Sequence, residues 1–299
     1  MTTQRGTRSI NARAPAKINL GLEILGKRRD GYHEIRSILT MVDLYDDLHF
    51  QFGQRSGATS VDGVPAEHNL IDRAVRLMQS RCSSELPFGY HVEKRIPIAT
   101  GLGGASSDAA ATLVAVNHLL GHPFRHDHLI ELAASLGSDV PFFLDGSTAY
   151  VKGTGTDITT IPGFTSAVLL VVPNIVIPRK TPTLYGRITA GDHSAGDRID
   201  RTVGRLRAGL PPEPDDLHNA FMAPLYDLVP PLAIVPTILR ESGCVRFGLS
   251  GAGPAHYALV DAEEIASVAS RIRTALDPHL FRLYQASLLP NRGRLQSVS

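Results

Sequence analysis

The stretch from Pro97 to Asp108 reads PIATGLGGASSD and leads into an alanine-rich run that begins at Ala109. It contains three glycines, Gly101, Gly103 and Gly104. Glycine adopts backbone conformations that other residues avoid, and it lets a ligand approach the main chain closely. We expect a helix to follow, capped by one of the polar residues at its start: Ser106, Ser107 or Asp108.

A glycine loop that opens a helix is suited to bind phosphate, because the first N–H groups are free and the helix dipole places positive charge there. The alternative is a tight turn before a capped helix. The loop lacks the Gly-Lys-Ser/Thr ending of the P-loop, and Ser106 stands where a dinucleotide-binding loop has its third glycine. Residues Tyr90 to Ile96 alternate as in a half-exposed antiparallel strand, which argues against a nicotinamide dehydrogenase.

The composition is that of an ordinary globular protein. The chain has 299 residues, of which 43% are hydrophobic, and this length favours about two domains. Its net charge of +1 does not suggest nucleic-acid binding. Cys82 and Cys244 lie too far apart in sequence for a metal or redox motif, and no apolar run is long enough to span a membrane. We expect a cytoplasmic monomer or homodimer without nucleic-acid or membrane partners.

The first half is predicted to contain strands followed by helices. Alternation over Ile18 to Leu22 indicates a strand, and the Asp-Gly turn at Gly31 leads into two more, at about 34–42 and 48–52. A polar loop or hairpin is expected over 53–67. Helices are expected at 72–79, from the glycine loop to about 120, and at 128–136, with a hairpin over 149–161.

Three polar residues in this half have an ordinary structural interpretation. Asn69, Asp127 and Asp139 each precede a predicted helix, where such side chains commonly act as caps. Asp139 is followed by Val140 and then a proline, which is frequent in the first turn of a helix. From the residues alone, capping is the favoured role for Asp139.

The second half is predicted to run strand, helices, strand, strand, helix, strand, which suits a ferredoxin-like layer. The strands are expected at 167–172, 245–248, 255–260 and 280–286. The segment 176–185 is expected to lead into a short helix, and further helices are expected near 199–206, 216–228, 232–242 and 262–276. A Pro-Gly break at residue 163 predicts domains 1–162 and 163–299. A second glycine loop, Gly248 to Pro254, connects two of the strands and has a tight connection as its ordinary interpretation.

Several segments resemble a known family. The pattern Pro-x3-Gly-Leu-Gly-Gly-x-Ser-Ser resembles the phosphate loop of the GHMP kinases, although Ile98-Ala99-Thr100 is an unusual lead into it. The segment PAKINLGLEILGKRRDGYHEIRS, from Pro15 to Ser37, resembles the branch of that family that acts on 4-diphosphocytidyl-2-C-methyl-D-erythritol. The resemblance implies an α+β fold with the two-domain GHMP architecture, an N-terminal ribosomal protein S5 domain 2-like half and a C-terminal ferredoxin-like half.

The resemblance implies transfer of the ATP γ-phosphoryl group to the substrate 2-hydroxyl, in the non-mevalonate (methylerythritol phosphate) route to isoprenoids. The pattern Gly-x-Asp-Val-Pro-Phe-Phe, from Gly137 to Phe143, matches the family segment that carries the catalytic aspartate. Asp139 would therefore accept the hydroxyl proton, and Lys17 would keep it ionised and stabilise the transferring group. Mg²⁺ would bridge the phosphates, with Ser107 as a candidate ligand. The implied ATP-binding residues are Asn69, Leu70, Ile71, Lys94, Pro97, Gly101, Leu102, Gly103, Gly104, Ala105, Ser106, Ser107 and Asp108.

The implied acceptor pocket consists of Asn19, Tyr32, His33, Thr181, Pro182, Tyr185 and Gly251. Tyr32 and Tyr185 would sandwich the cytosine, and His33 would hydrogen-bond its edge. The second glycine loop would close the site beside the first. Two alternatives remain at this point: a GHMP kinase for another small alcohol, such as mevalonate or homoserine, and a catalytically silent nucleotide-binding regulator.

Overall fold

The computed structural model describes residues 9–52, 69–82 and 88–290, and its first half is built on one antiparallel sheet. The strands are β1 (Ser9–Lys27), β2 (His33–Phe52), β3 (Phe88–Glu93), β4 (Thr148–Gly153) and β5 (Asp157–Ile161). β1 pairs with β2 along nearly its whole length, while β3 and β4 share the other edge of β2. The two strands predicted at 34–42 and 48–52 are therefore one strand; the loop predicted at 53–67 lies outside the described residues.

Four helices complete the described part of this half. They are α1 (Leu70–Arg81), α2 (Gly104–Leu119), α3 (His126–Leu136) and α4 (Val140–Asp145). α2 packs against β1 and contacts the other three helices. Its buried side chains include the small ones of Ala109 to Ala111, which let the helix approach the sheet closely. The glycine loop is thereby fixed at the N-terminus of a largely buried helix.

The predicted helix caps were mostly wrong. α2 begins at Gly104, with Gly103 in the left-handed region (φ 76°) at its N-cap and no side-chain cap hydrogen bond, so the Ser-Ser-Asp sequence lies inside the helix. Asp127 lies inside α3, and Arg125 occupies the cap position instead. Asp139 occupies the N-cap position of α4, but its side chain makes no capping hydrogen bond. Asn69 does cap α1, because its side chain accepts from the N–H of Ile71.

The second half contains the predicted ferredoxin-like sheet. Its elements are β6 (Ala167–Pro173), α5 (Lys180–Tyr185), α6 (Asp197–Arg207), α7 (Met222–Leu228), α8 (Ile234–Glu241), β7 (Arg246–Leu249), β8 (His256–Val260), α9 (Ile265–Ala275) and β9 (Phe281–Ser287). All neighbouring strands are antiparallel, in the order β7-β8-β6-β9. The side chains of α8 and α9 pack against one face of this sheet. The α+β class predicted from the sequence is confirmed.

One helix prediction in this half was too long. The segment at 218–220 is not helical, because it forms a bridge with β1: the N–H of Leu22 donates to the carbonyl of His218, and the N–H of Ala220 donates to the carbonyl of Leu22. Asn219 uses its side-chain amide to bond the carbonyls of Leu249 and Gly251, in the second glycine loop. The helix therefore starts only at Met222, as α7.

Contacts between the halves are extensive. One buried cluster includes Ile18 and Leu20 of β1 together with Val168 of β6 and Tyr257 of β8. β1 therefore packs against the C-terminal sheet and also pairs along its edge with the segment before α7. In the part of the chain that the structure describes, no helix has the length and apolar character needed to cross a membrane.

Candidate active site

The first glycine loop forms a wall between two cavities. The smaller has a volume of about 180 Å³ and lies against the start of α1 and the end of β3. The larger has a volume of about 1060 Å³ and extends across the ends of β1, α4 and α5. Four residues line both cavities: Ala99, Gly101, Gly103 and Ser106. A phosphate chain in the smaller cavity would therefore reach the larger one along this loop.

The smaller cavity brings together the residues predicted to bind ATP, with one exception. The lining includes Asn69, Leu70, Ile71, Lys94, Pro97, Gly101, Leu102, Gly103, Gly104, Ala105, Ser106 and Asp108. Ser107 lines neither cavity and is fully buried. Because α2 starts earlier than predicted, Ser106 is the serine of the pair that faces both cavities.

Hydrogen bonds hold two polar residues of this cavity in place. Asn69 accepts from the N–H of Ile71 at 2.9 Å and donates to the hydroxyl of Tyr90 at 3.0 Å. The ammonium of Lys94 binds the carboxylates of Asp46 and Asp108. Burial tends to lower the pKa of Lys94, but the two carboxylates outweigh it, and its pKa is raised. Lys94 thus neutralises buried acids as well as lining the cavity.

Lys17 and Asp139 meet at the larger cavity, although 122 positions separate them in the printed sequence. Lys17 Nζ lies 3.8 Å from Asp139 Oδ2 and donates to Asn19 Oδ1 at 2.6 Å. The Lys17 side chain is 4% exposed, whereas that of Asp139 is 39% exposed. Burial lowers the pKa of Lys17, and the negative charge of Asp139 partly offsets this. The pair presents an accessible carboxylate beside a buried cation.

The two glycine loops are in direct contact behind this pair. Ser250 Oγ donates to the carbonyl of Gly101 at 2.9 Å, and the N–H of Ala255 donates to the carbonyl of Thr100 at 3.0 Å. Gly101 has a φ of 90°, and a Cβ there would overlap the carbonyl oxygen of Ser250. A Cβ on Gly103 would lie 2.8 Å from Lys17 Cγ. Glycine at 101 thus lets the two loops approach each other, and glycine at 103 lets the first loop approach Lys17.

All the residues predicted for the acceptor pocket line the larger cavity: Asn19, Tyr32, His33, Thr181, Pro182, Tyr185 and Gly251. Their arrangement differs from the predicted sandwich in one respect. The His33 ring stacks on Tyr185, with 4.8 Å between centroids and 19° between planes, while Tyr32 is 67% exposed. One face of Tyr185 is thus covered by His33 in this structure.

Three residues at the site escaped the sequence analysis: Lys180, Asn219 and Ser250. Lys180 lines the larger cavity and donates to backbone carbonyls of both glycine loops. Asn219 and Ser250 hold the second loop in place. The only local signals were the basic pair that precedes Thr181 and the serine within the second glycine loop.

The first turn of α2 offers oxygen atoms rather than a preformed metal cluster. Ser107 Oγ and Asp108 Oδ1 are buried and have no hydrogen-bond partner among the described residues. In the same part of the chain, no three His, Cys, Asp or Glu side chains are grouped as metal ligands. Oxygen donors in small number suit Mg²⁺, which usually keeps waters and substrate phosphates in its coordination shell.

Family models match both halves of the chain. The GHMP kinases N terminal domain matches residues 69–147, which include the first glycine loop and Asp139. The GHMP kinases C terminal model matches residues 212–277, which include the second glycine loop. Both loops around the candidate site therefore lie within segments typical of GHMP kinases.

Curated relatives extend this similarity over most of the chain. Two relatives are named 4-diphosphocytidyl-2-C-methyl-D-erythritol kinase. The one from Dehalococcoides mccartyi is 38% identical over 85% of this chain and 90% of the relative. The one from Geobacter sulfurreducens is 32% identical over 90% of this chain and 96% of the relative. The chain belongs to the GHMP kinases and, within them, to the family of 4-diphosphocytidyl-2-C-methyl-D-erythritol kinases. The resemblance inferred from the sequence is confirmed, and with it the class of activity, an ATP-dependent kinase.

Solved structures agree with this assignment. A crystal structure of 4-(cytidine 5'-diphospho)-2C-methyl-D-erythritol kinase superposes with a TM-score of 0.78 at 29% identity, covering 93% of this chain and 99% of the other. Homoserine kinase from Cytophaga hutchinsonii superposes with a TM-score of 0.73 at 17% identity, covering 100% of both chains. The second similarity concerns the fold alone.

Proposed function

We propose that this protein transfers the γ-phosphoryl group of ATP to the 2-hydroxyl of 4-diphosphocytidyl-2-C-methyl-D-erythritol, in the methylerythritol phosphate route to isoprenoid precursors. The names of its relatives support this substrate. The observation that carries the proposal is the pair of Lys17 and Asp139, 3.8 Å apart, in the larger cavity beside the wall formed by the first glycine loop. A phosphate donor on one side and an alcohol on the other would meet there.

ATP would occupy the smaller cavity. Its phosphates would lie along Gly101 to Ser106, where the first N–H groups of α2 and the positive end of the helix dipole favour anions. Because Gly103 has a left-handed backbone and no Cβ, the main chain can contact phosphate oxygens directly. Phosphoryl transfer relies mainly on such positioning and charge neutralisation.

Asp139 would accept the proton of the acceptor hydroxyl. Its carboxylate is accessible from the larger cavity and is not used as a helix cap, so it is available for this role. The buried ammonium of Lys17 keeps a positive charge beside it and close to the transferring group. The Asn19 side chain orients this ammonium by accepting one of its hydrogen bonds.

The larger cavity suits a nucleotide-linked acceptor in size and charge. Its volume of about 1060 Å³ is at the upper end of the range for pockets of drug-sized ligands. Its basic lining residues are Lys17, Lys27, Arg179 and Lys180, against one carboxylate, that of Asp139. This excess of positive charge favours a diphosphate-linked alcohol over mevalonate or homoserine.

The cytosine would bind near Tyr32, His33 and Tyr185. Burial lowers the pKa of His33 below its ordinary value of 6.5, and the charges of Lys27 and His193 add to the effect. Its ring is then neutral at pH 7, with one nitrogen to donate and one to accept a hydrogen bond. Since His33 stacks on Tyr185 in this structure, we propose that the His33 ring moves off when the base enters.

We propose that Mg²⁺ accompanies ATP and neutralises charge between its phosphates. The protein groups that would hold it are the Ser106 hydroxyl, which faces both cavities, and the Asp108 carboxylate, which lines the smaller one. Asp108 has one buried oxygen without a hydrogen-bond partner among the described residues. Ser107, the candidate from the sequence, faces neither cavity and is less well placed.

The proposal is tested by following ATP consumption with three acceptors: the cytidyl-methylerythritol substrate, mevalonate and homoserine. Asp139→Asn should lower kcat by about 100-fold or more, the usual range for losing a general base. Asp127→Asn is the matched control, because it removes an exposed acid from the start of the neighbouring helix, α3, and should leave kcat unchanged. Equal rates for the two variants would refute the role of Asp139.

The other outcomes separate the alternatives. Turnover of mevalonate or homoserine alone would refute the substrate, and Tyr32→Ala should then have little effect. Binding of ATP without turnover of any acceptor would favour a silent regulator. We further propose a cytoplasmic protein, monomeric or homodimeric, divided at residues 162 and 163; size-exclusion chromatography with light scattering tests the oligomeric state.

A further inference from the structure

Lys180 occupies the junction of the two glycine loops. It is the first residue of α5 and lines the larger cavity. Its ammonium donates to the carbonyl of Ala99, at 2.7 Å, and to the carbonyl of Gly253. Among the described residues it makes no ion pair with a carboxylate. A partly buried cation is therefore held by neutral carbonyl groups alone.

The backbone on both sides of this contact is strained. Ala99, whose carbonyl accepts from Lys180, has a φ of 59°. Arg179, directly before Lys180, has a φ of 47°. Residues with a Cβ rarely adopt this left-handed region, and strained positions of this kind are frequent at functional sites. The fold thus holds the ammonium between the loops at a cost in conformational energy.

Lys180 and Lys17 form a pair of like charges at the cavity. Burial is the main cause that lowers the pKa of Lys180 to about 8, and the positive charge of Lys17 lowers it further. Asp139 is the only carboxylate among the described residues that line this cavity. An ammonium has three donors, and the two carbonyls account for two of them. A phosphate oxygen would satisfy the third and relieve the repulsion.

We propose that Lys180 is a second phosphate-binding cation of the transfer centre, donating to a phosphate oxygen where the two glycine loops meet. The oxygen would belong to the γ-phosphoryl group of ATP or to the diphosphate of the acceptor. This inference rests on the proposed function. Lys17 would then act on one side of the phosphate and Lys180 on the other.

The test compares Lys180→Met, which keeps the length of the side chain but removes its charge, with Lys180→Arg, which keeps the charge. Lys152→Met is the matched control, since Lys152 lies on β4 outside both cavities and makes an exposed pair with Asp157. We expect Lys180→Met to lower kcat or kcat/KM by 10- to 100-fold, Lys180→Arg to recover most of this loss, and Lys152→Met to match the wild type. A fall in kcat with unchanged KM assigns the contact to the transferring group; a rise in KM for the acceptor alone assigns it to the acceptor diphosphate.

The pH profile separates a charge role from a purely structural one. The rate of the wild type should fall as the ammonium loses its proton near pH 8, and Lys180→Arg should extend activity to higher pH because a guanidinium stays charged. Values of kcat and both KM within threefold of wild type in Lys180→Met would overturn the proposal. So would a loss in Lys180→Met that the arginine does not recover.

Binding of tripolyphosphate, followed by the shift in Tm, gives a readout independent of turnover. A Tm shift in the wild type that is lost in Lys180→Met and kept in Lys152→Met would support the phosphate contact. It would do so even if no acceptor were turned over, because missing turnover would refute only the proposed function. An equal shift in all three proteins would overturn the contact.

Discussion

Replacing Gly101 by alanine is expected to separate the two glycine loops. Gly101 has a φ of 90°, and a Cβ there would overlap the carbonyl oxygen of Ser250 and lie 3.0 Å from that of Gly253. These are backbone atoms, so the clash cannot be relieved by rotation of a flexible side chain. The hydrogen bond from Ser250 Oγ to the Gly101 carbonyl would be lost as the loops move apart.

The cost has three parts. A left-handed alanine costs about 1–2 kcal/mol. Forcing atoms into a packed site costs about 1–3 kcal/mol more. The lost hydrogen bond contributes about 1 kcal/mol. We therefore expect the free energy of unfolding to fall by about 3–6 kcal/mol, and kcat/KM for ATP to fall by at least 100-fold, because the same movement displaces the phosphate-binding N–H groups.

Gly121→Ala is the control for this experiment. Gly121 also has a positive φ, 83°, but a Cβ there would meet no atom within 4 Å. It should cost only the backbone part, about 1–2 kcal/mol, and leave kcat/KM unchanged. Urea denaturation and steady-state kinetics of the two variants measure the difference. If both lose the same stability and keep the same activity, contact between the loops does not shape the site.

Two further predictions concern buried ionisable groups. Burial lowers the pKa of His256 from 6.5 to about 4, and its neutral ring donates to the Pro254 carbonyl and accepts from Tyr226. As the pH falls, the unfolded chain binds the proton first, so the free energy of unfolding should decrease between about pH 6.5 and 4 by up to about 3 kcal/mol. Urea titrations at several pH values should show this decrease in the wild type and in the exposed-site control His128→Gln, but not in His256→Gln. Parallel stability–pH curves for all three proteins would contradict the prediction. Lys94→Met leaves two buried carboxylates without their cation and should cost about 3–5 kcal/mol at neutral pH. This cost should shrink on acidification, because the pKa of Asp108, raised mainly by burial, is about 7. The control is Lys152→Met at an exposed pair, for which a loss of roughly 0–1 kcal/mol is expected. A loss of stability in Lys94→Met no larger than that of the control would contradict the role of Lys94.

Local patterns were sufficient to predict most strands and helices, but not the direction of individual side chains. The alternation in β1 and the apolar run of β6 reflect which faces of these strands are buried, so both strands can be predicted from the pattern of apolar residues. The start of α2 cannot be predicted in this way, because it is set by the left-handed conformation of Gly103. The N-cap lies three to five residues before the predicted positions, and each residue of a helix turns the side-chain direction by about 100°. This is why Ser106, not Ser107, faces the cavities.

Site residues that lie far apart in the sequence were predicted only where they belong to a family motif. Lys17 and Asp139 stood in such patterns, and the structure brings them to 3.8 Å, while their catalytic roles stay a prediction. Lys180 had no such mark, because its partners are backbone carbonyls of residues 99 and 253, whose side chains say nothing of the contact. The pairing of β1 with residues 218–220 escaped for the same reason.

The segment after β9 has a consequence for how the chain is made. Leu288 bridges to Val42 of β2, and the N–H of Leu289 donates to the carbonyl of Met41 at 2.9 Å. These partners are separated by more than 240 positions, so this part of β2 waits for residues that are synthesised much later. A nascent chain that already contains both glycine loops still lacks this contact between β2 and the segment after β9. Final closure of the first sheet is therefore expected only after residue 289 has emerged, when a loop of more than 240 residues is closed.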